Sequence, residues 1–450
     1  MLSIVPRALA SLEALKAGAP ALFTAYAENE RRDRRALEAL QVERLKRLLV
    51  HAGERVPFWR RRFARYGIHP ETVRSIRDLA ALPPLTERDL LDFGNDLMTD
   101  GSAQPEWFRA RAMEDNRESL GIWLDQRARR ERLVDELRHV TWLGLDWRTP
   151  RAVLTGRAEN GELLEGAAGR LRGGLRSGVW LHSARIRAEG ADFAGRAARA
   201  NASLLSGPPS ALERLAGAIA EAVPEAASYR PTVVLTWGEV LDEDRRTWIE
   251  SAFGAPVYDA YRTREIGEAA HECRERRGLH VTMERVLIEF VRDGEPADPG
   301  EDGEILVTAL DNLAMPLLRF RLGDVGCRVP EPSCPCGRTS ERILITDGRA
   351  DELVTTTNGK RVHADWFEWL FESCPGLTDW RVRQDRREEL SLDLVCADGL
   401  DDATLEGLRR EISHLDPALT VNIHFVNAVP RRADARRRPV VSRVPIQWPL

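Results

Sequence analysis

Four residues of this 450-residue chain stand in a pattern that could bind a metal. Cys334 and Cys336 flank a single proline, and Cys273 and His280 have six residues between them. Thiolates and an imidazole are the donors that suit tetrahedral zinc. Four protein ligands would leave no open position, so such a site would serve structure rather than chemistry. The Cys-Pro-Cys spacing lacks the usual two-residue gap. The same residues also fit a β region that carries a reduced thiol pair. The other cysteines are Cys327, Cys374 and Cys396. Six in all are too few for a disulfide scaffold, and their clustering points to a reducing cytoplasm. The neighbours of Cys327 read as strand, which makes it a core residue.

Chemistry that needs an ammonium has few candidates. Lysine occurs only at Lys16, Lys46 and Lys360, so all but three of the 66 basic residues are arginine. With 71 acidic residues the net charge is -5, which does not point to nucleic-acid binding. The chain is 43% hydrophobic and 30% charged, as in ordinary globular proteins, which excludes disorder and collagen. No run of 18 uncharged apolar residues exists, so no membrane span is expected. The first residues are broken by Arg7, Glu13 and Lys16 and lack the layout of a secretory signal.

The elements that would position these residues fall into three stretches. Residues 28–50 read as an amphipathic helix with Leu37, Leu40, Leu45, Leu48 and Leu49 on one face. Residues 105–147 are charged and dotted with tryptophan, and 161–178 are glycine-rich. Helix and strand patterns then alternate over 210–261, which argues for a parallel α/β sheet. From 280 the helices stop and strands follow one another, as in an attached antiparallel β region. Residues 352–450 read as a smaller α+β unit with helices at 364–373 and 401–413. The tail RRADARRRP (431–439) is a basic run with the look of a solvated edge.

Several segments in order resemble one family. They include VPFWRRRF (56–63), SIRDLAALPPLTERDLL (75–91), SGPPSALERLA (206–216) and the long run 236–273, which contains DAYRTRE. The resemblance continues through GLHVTMERVLIEF (278–290), GEDGEILVTALDNLAMPLLRFRLGDVG (300–326), CPCGR (334–338) and DGRADELVTTTNGKRVHADWFE (347–368). By these motifs the chain resembles the phenylacetate-CoA ligase and CapK-like branch of the adenylate-forming superfamily. The likeness runs from about residue 35 to 430.

The resemblance implies an activity. Such proteins join a carboxylic acid to ATP, with Mg²⁺, as an acyl-adenylate, and usually pass the acyl group to a thiol. It implies a large N-terminal α/β domain, 1–350, with a β region over about 278–350, and a small α+β C-terminal domain, 351–450, turning at Asp351. Relatives carry the counterparts of Cys273, His280, Cys334 and Cys336 as a zinc site. Asp324 matches an aspartate that accepts both ribose hydroxyls, a task suited to a carboxylate. Arg349 matches a nucleotide-contacting arginine, Tyr261 the aromatic residue beside adenine, and Glu265 a glutamate near Mg²⁺ and phosphate. Gly238 and Glu239 are placed with the nucleotide, and an acyl or aryl pocket is expected near Trp237, Gly238 and Tyr261. Expected partners are a small carboxylic acid and CoA or a carrier protein. A homodimer is among the assemblies left open.

Three departures bear on ATP chemistry. The phosphate loop of the family is rich in serine, threonine and glycine. The corresponding region here, MEDNRESLGIWLD (113–125), offers Glu114, Asp115 and Glu118 and a single Gly121. Relatives have Tyr-Gly-x-Thr-Glu, whereas this chain has Tyr261-Arg262-Thr263-Arg264-Glu265. Arg262 would fill space that a nucleotide or acyl group uses, or the two arginines would bind another anion. The C-terminal lysine of the family is absent, and Arg436 is its nearest positional stand-in. The expectation is therefore a ligase-like enzyme with impaired or altered ATP chemistry. The alternative is a non-adenylating relative that binds a partner or reuses the acyl pocket.

Overall fold

The structure is a computed structural model. It describes residues 19–100, 106–108, 122–146, 149–155, 178–220, 229–263, 265–331, 333–349, 353–362, 364–372, 374, 376–396, 399–429 and 439–444. Side chains of a few of these, Arg349 among them, are left undescribed. Strands β1 (Glu106–Phe108) and β2 (Ile122–Leu124) pair as a short antiparallel ribbon.

A twelve-stranded sheet forms the centre. Its parallel half contains β3 (Arg151–Thr155), β4 (Gly178–His182), β5 (Leu204–Gly207), β6 (Val233–Trp237) and β7 (Val257–Thr263). Its antiparallel half contains β8 (Gly267–Glu272), β9 (Leu279–Val281), β10 (Val286–Arg292), β11 (Glu295–Pro296), β12 (Gly303–Ala309), β13 (Phe320–Arg328) and β14 (Arg342–Arg349). The order is β11-β10-β12-β13-β14-β9-β8-β7-β6-β5-β3-β4. The β region expected as an attachment is thus continuous with the α/β sheet. β7 makes the join, lying parallel to β6 and antiparallel to β8.

Two apolar cores follow from this layout. In the parallel half, helices Ile186–Arg199, Pro209–Ala220 and Glu243–Phe253 bury Phe193, Leu212, Leu215 and Ile249 with Val234 and Val257. Near-continuous apolar strands such as VVLTW fit a sheet covered by helices. In the antiparallel half, the helix Arg34–Arg55 sets Leu37, Leu45, Leu48 and Leu49 in one core with Val286, Ile288 and Val307. That helix starts later than the pattern over 28–50 suggests. Asp33 caps it by accepting from the Arg35 N–H at 2.8 Å, and residues 19–29 form a separate helix.

Gly326 shows how closely the antiparallel strands approach. It sits at a register shift between β13 and β14, and a Cβ there would lie 2.2 Å from the Leu344 carbonyl oxygen. Gly326→Ala should therefore destabilise the protein by about 1–3 kcal/mol, because backbone rather than a flexible side chain must yield. A urea melt with an unchanged midpoint would contradict this.

Residues after 353 have a third core. The hairpin β15 (Val354–Thr355) and β16 (Arg361–Val362) precedes a four-stranded sheet. That sheet contains β17 (Leu377–Arg386), β18 (Glu389–Cys396), β19 (Thr420–Phe425) and β20 (Val440–Ser442), in the order β19-β18-β17-β20. Helices Ala364–Glu372 and Asp402–Leu415 close it with Phe367, Leu370, Leu408 and Ile412. Asp351 lies outside the described residues.

Candidate functional site

The cysteine and histidine pattern converges in space. Cys273 follows β8, and His280 lies on β9. Cys334 and Cys336 lie in the connection from β13 to β14, where the Gly337 N–H donates to the Cys334 carbonyl at 3.0 Å. The Sγ atoms of Cys273 and Cys334 are 3.7 Å apart, and Cys336 Sγ is 3.4 Å from His280 Nε2. All four donor atoms lie within 4.8 Å of one another. With Zn–S near 2.3 Å and Zn–N near 2.0 Å, tetrahedral ligand atoms stand roughly 3.4–3.8 Å apart, so the donor set fits one zinc ion.

The surroundings also suit a metal. His280 Nδ1 is 3.1 Å from Ser340 Oγ, which orients the ring and leaves Nε2 facing the sulfurs. The Arg338 N–H donates to Cys336 Sγ at 3.4 Å. Burial, with the Arg338 charge, holds His280 down to about 3, so its ring is neutral, the form a metal accepts. Burial pushes the Cys273 thiol up to about 12. Three sulfurs this close are held as thiolates only with a cation among them. Cys327 is buried on β13, as its strand-like neighbours suggest.

Two of the residues expected at a nucleotide meet. Tyr261 on β7 donates its hydroxyl to Asp324 Oδ2 on β13 at 2.6 Å. Three strands (β8, β9 and β14) stand between β7 and β13 in the sheet. Asp324 faces Arg349 in the β13–β14 register, so the two backbones are neighbours. Gly238, with φ 81°, turns the chain as it leaves β6. Glu239 is engaged at the start of the Pro209–Ala220 helix, accepting from the Ser210 N–H at 2.9 Å and the Ser210 hydroxyl at 2.8 Å. Glu265 accepts through its carbonyl from Arg132 at 2.8 Å. The Arg262 guanidinium lies over the Trp237 ring, 5.6 Å from its centroid, at the expected acyl pocket.

Other expected residues escape description. Arg264, Asp351 and Arg436 lie outside the described residues, as do Glu114, Asp115, Glu118 and Gly121 of the region that replaces the phosphate loop.

Sequence reading missed the face beneath this site. The helix Gln126–Trp142 buries Glu131, Asp135, Arg138 and His139. Arg138 donates to Asp135 at 2.7 Å and to Glu284 at 3.0 Å, and Arg285 donates to Asp135 at 3.0 Å and Asp311 at 2.8 Å. His139 also meets Glu268 and His271. The partners that helix meets on other elements, Glu268, Glu284 and Arg285, lie more than a hundred residues away in sequence, and no motif joins them to it. The recurrence of 131, 135, 138, 139 and 142 on one helical face was the only available signal, and it reads as a solvated face when the residues are charged.

Comparison with known proteins gives the class. The chain has the fold of the adenylate-forming ligases. A 2-hydroxyisobutyryl-CoA ligase in the postadenylation state with 2-HIB-AMP superimposes with a TM-score of 0.67 at 19% identity, covering 92% of this chain and 91% of that one. The same ligase with 2-HIB-AMP and CoA in the thioesterification state gives 0.64, also at 19% identity, with coverage of 92% and 91%. In sequence the chain is similar to phenylacetate-coenzyme A ligases. That of Thermus thermophilus is 27% identical over 362 residues, 73% of each chain. That of Escherichia coli is 26% identical over 333 residues, 71% of this chain and 72% of the other. No family model matches. No helix among the described residues is long and apolar enough to cross a membrane.

Proposed function

We propose that this chain is an adenylate-forming ligase that activates a small carboxylic acid with ATP and Mg²⁺ and passes the acyl group to CoA. The observation that carries this reading is the Tyr261–Asp324 hydrogen bond beside Arg349 in register. It joins an aromatic ring, a carboxylate and an arginine-bearing strand, as recognition of a nucleoside would require. In this reading Asp324 accepts the ribose hydroxyls, Tyr261 orients that carboxylate and lies against the base, and Glu265 faces the metal and phosphates. Gly238 and Glu239 border the nucleotide, with Glu239 held in place by Ser210. Cys273, His280, Cys334 and Cys336 hold one zinc ion that ties the β8–β9 turn to the β13–β14 connection. Residues 351–450 turn about Asp351 between the two half-reactions.

The ATP half-reaction is slow in this reading. Glu114, Asp115 and Glu118 replace amide and hydroxyl donors, and Arg436 stands in for a lysine. Electrostatic contributions of that kind are worth roughly 3–4 kcal/mol each. Asp324→Ala removes two charge-assisted acceptors worth about 1.5–3 kcal/mol each, so thioester formation should fall by at least about a hundredfold. The assay is ATP-dependent thioester formation with aryl and small hydroxy acids, alongside calorimetric titration with AMP and Mg²⁺. Activity unaffected by Asp324→Ala would remove the assigned role. A folded protein that neither binds AMP nor forms a thioester would end the ligase reading. The second reading, a non-adenylating relative, is favoured by Arg262, which covers the Trp237 face that an acyl group would use. It expects acid binding without nucleotide binding.

A further inference from the structure

We propose that His139, Glu268 and His271 form a second, buried metal site that takes one divalent first-row transition ion through nitrogen and oxygen donors alone. The inference is independent of the ligase reading. Each residue brings a donor atom within 4.8 Å of the other two. His139 comes from the helix Gln126–Trp142, and Glu268 and His271 come from β8. All three are buried, the two histidines completely.

The hydrogen bonds decide which nitrogens are available. His271 Nδ1 lies 2.6 Å from the Glu272 carbonyl oxygen. A carbonyl only accepts, so Nδ1 carries the proton and Nε2 of the neutral ring presents a lone pair. His139 Nδ1 lies 2.9 Å from Glu268 Oε1, so this nitrogen, and not Nε2 on the far side of the ring, is the one that can share an ion with Glu268. His271 Nε2 is buried without a hydrogen-bond partner, and so is His139 Nε2, which carries that ring's proton when Nδ1 binds. A lone pair left alone in a protein core is costly unless something electropositive meets it.

The distances indicate a cation. His271 Nε2 is 3.6 Å from Glu268 Oε1, and His139 Nε2 is 3.6 Å from Asp135 Oδ1. Both separations are too long for hydrogen bonds; the His271 lone pair facing a carboxylate is repulsive, whereas the His139 Nε2–H points at Asp135. Donors that share one tetrahedral ion at about 2.0–2.2 Å stand roughly 3.3–3.5 Å apart, so slight contraction would seat an ion. Asp135 adds negative charge, although Arg138 and Arg285 already donate to its two oxygens. A carbonyl on His271 Nδ1 and the Asp135 carboxylate facing His139 Nε2 make the arrangement that orients metal-bound imidazoles.

The two clusters are neighbours with different chemistry. His271 and His280 are cross-strand partners on β8 and β9. The Trp142 ring stands edge-on to both, at 6.0 and 5.9 Å between centroids. The second site has no sulfur, which makes the two separable by spectroscopy.

The test uses the full chain, stripped of metal and titrated with Co²⁺, beside elemental analysis of protein purified without chelator. The expected wild-type result is two metal equivalents per chain. The intense sulfur-to-cobalt charge-transfer band should saturate at one equivalent, with weaker ligand-field absorption growing to a second. Glu268→Gln and His271→Gln should each retain the sulfur band and hold one equivalent fewer. A folded wild type whose only equivalent is the one that carries the sulfur band would overturn the proposal, even if both variants failed to fold. So would either variant retaining two equivalents. Loss of the sulfur band with the sulfur-free equivalent retained would overturn the cysteine site and leave this one standing.

Discussion

Substituting Arg285 by alanine is expected to lower the unfolding free energy by about 3–5 kcal/mol, a large share of what a folded domain has to lose. Arg285 is fully buried and donates to Asp135 at 3.0 Å, to Asp311 at 2.8 Å and to the Ile266 carbonyl at 3.2 Å, as well as to the Glu268 carbonyl. Removing it leaves two fully buried carboxylates short of a cation. Arg138 still reaches Asp135, but among the described residues only Arg132 remains near Asp311, at 3.5 Å. The exposed Arg88–Asp92 pair gives the control, since its loss should cost no more than about 0.5 kcal/mol. Guanidinium melts followed by tryptophan fluorescence compare the two. A change below about 1 kcal/mol for Arg285→Ala would mean that water or a neighbour replaces the guanidinium.

Cys336→Ser is expected to release one equivalent of zinc and to lower stability by about 4 kcal/mol where free zinc would exceed its dissociation constant a thousandfold. The reason is topological. Cys273 and His280 sit on the β8–β9 turn, whereas Cys334 and Cys336 belong to a connection with few apolar residues of its own. Besides the ion, that connection is held by polar contacts: Arg342 donates to the Glu331 and Ser333 carbonyls at 2.7 and 2.8 Å, Arg338 to Glu30 at 3.0 Å, and the Thr339 N–H to the Glu30 carbonyl at 3.2 Å. Without the ion, backbone near Cys336 should exchange its amide protons faster while the apolar cores stay protected. Unchanged metal content in the variant would remove the assignment, and so would unchanged exchange at 333–340.

The legible parts of this protein were those where apolar periodicity and local spacing coincide with the fold. The strands at 233–237 and 257–263 and the helices at 243–253 and 402–415 follow from runs of apolar residues, capping aspartates and terminal glycines. The Cys273, His280, Cys334 and Cys336 pattern was readable because each half is a short-range motif. Tyr261 and Asp324 were readable only through resemblance, since 63 residues separate them and nothing local couples their hydrogen bond.

The helix Gln126–Trp142 marks the limit. Its sequence, QRARRERLVDELRHVTW, looks like an exposed arginine-rich helix, yet its inward face carries Glu131, Asp135, Arg138 and His139. Sequence alone determined that this segment is charged and dotted with tryptophan. It could not determine that the charges point inward, because their partners Tyr26, Glu268, Glu284 and Arg285 come from distant elements. Burial of a charge is decided by whether a counter-charge arrives at hydrogen-bond distance. That is a property of the assembled tertiary structure, not of hydropathy along the chain.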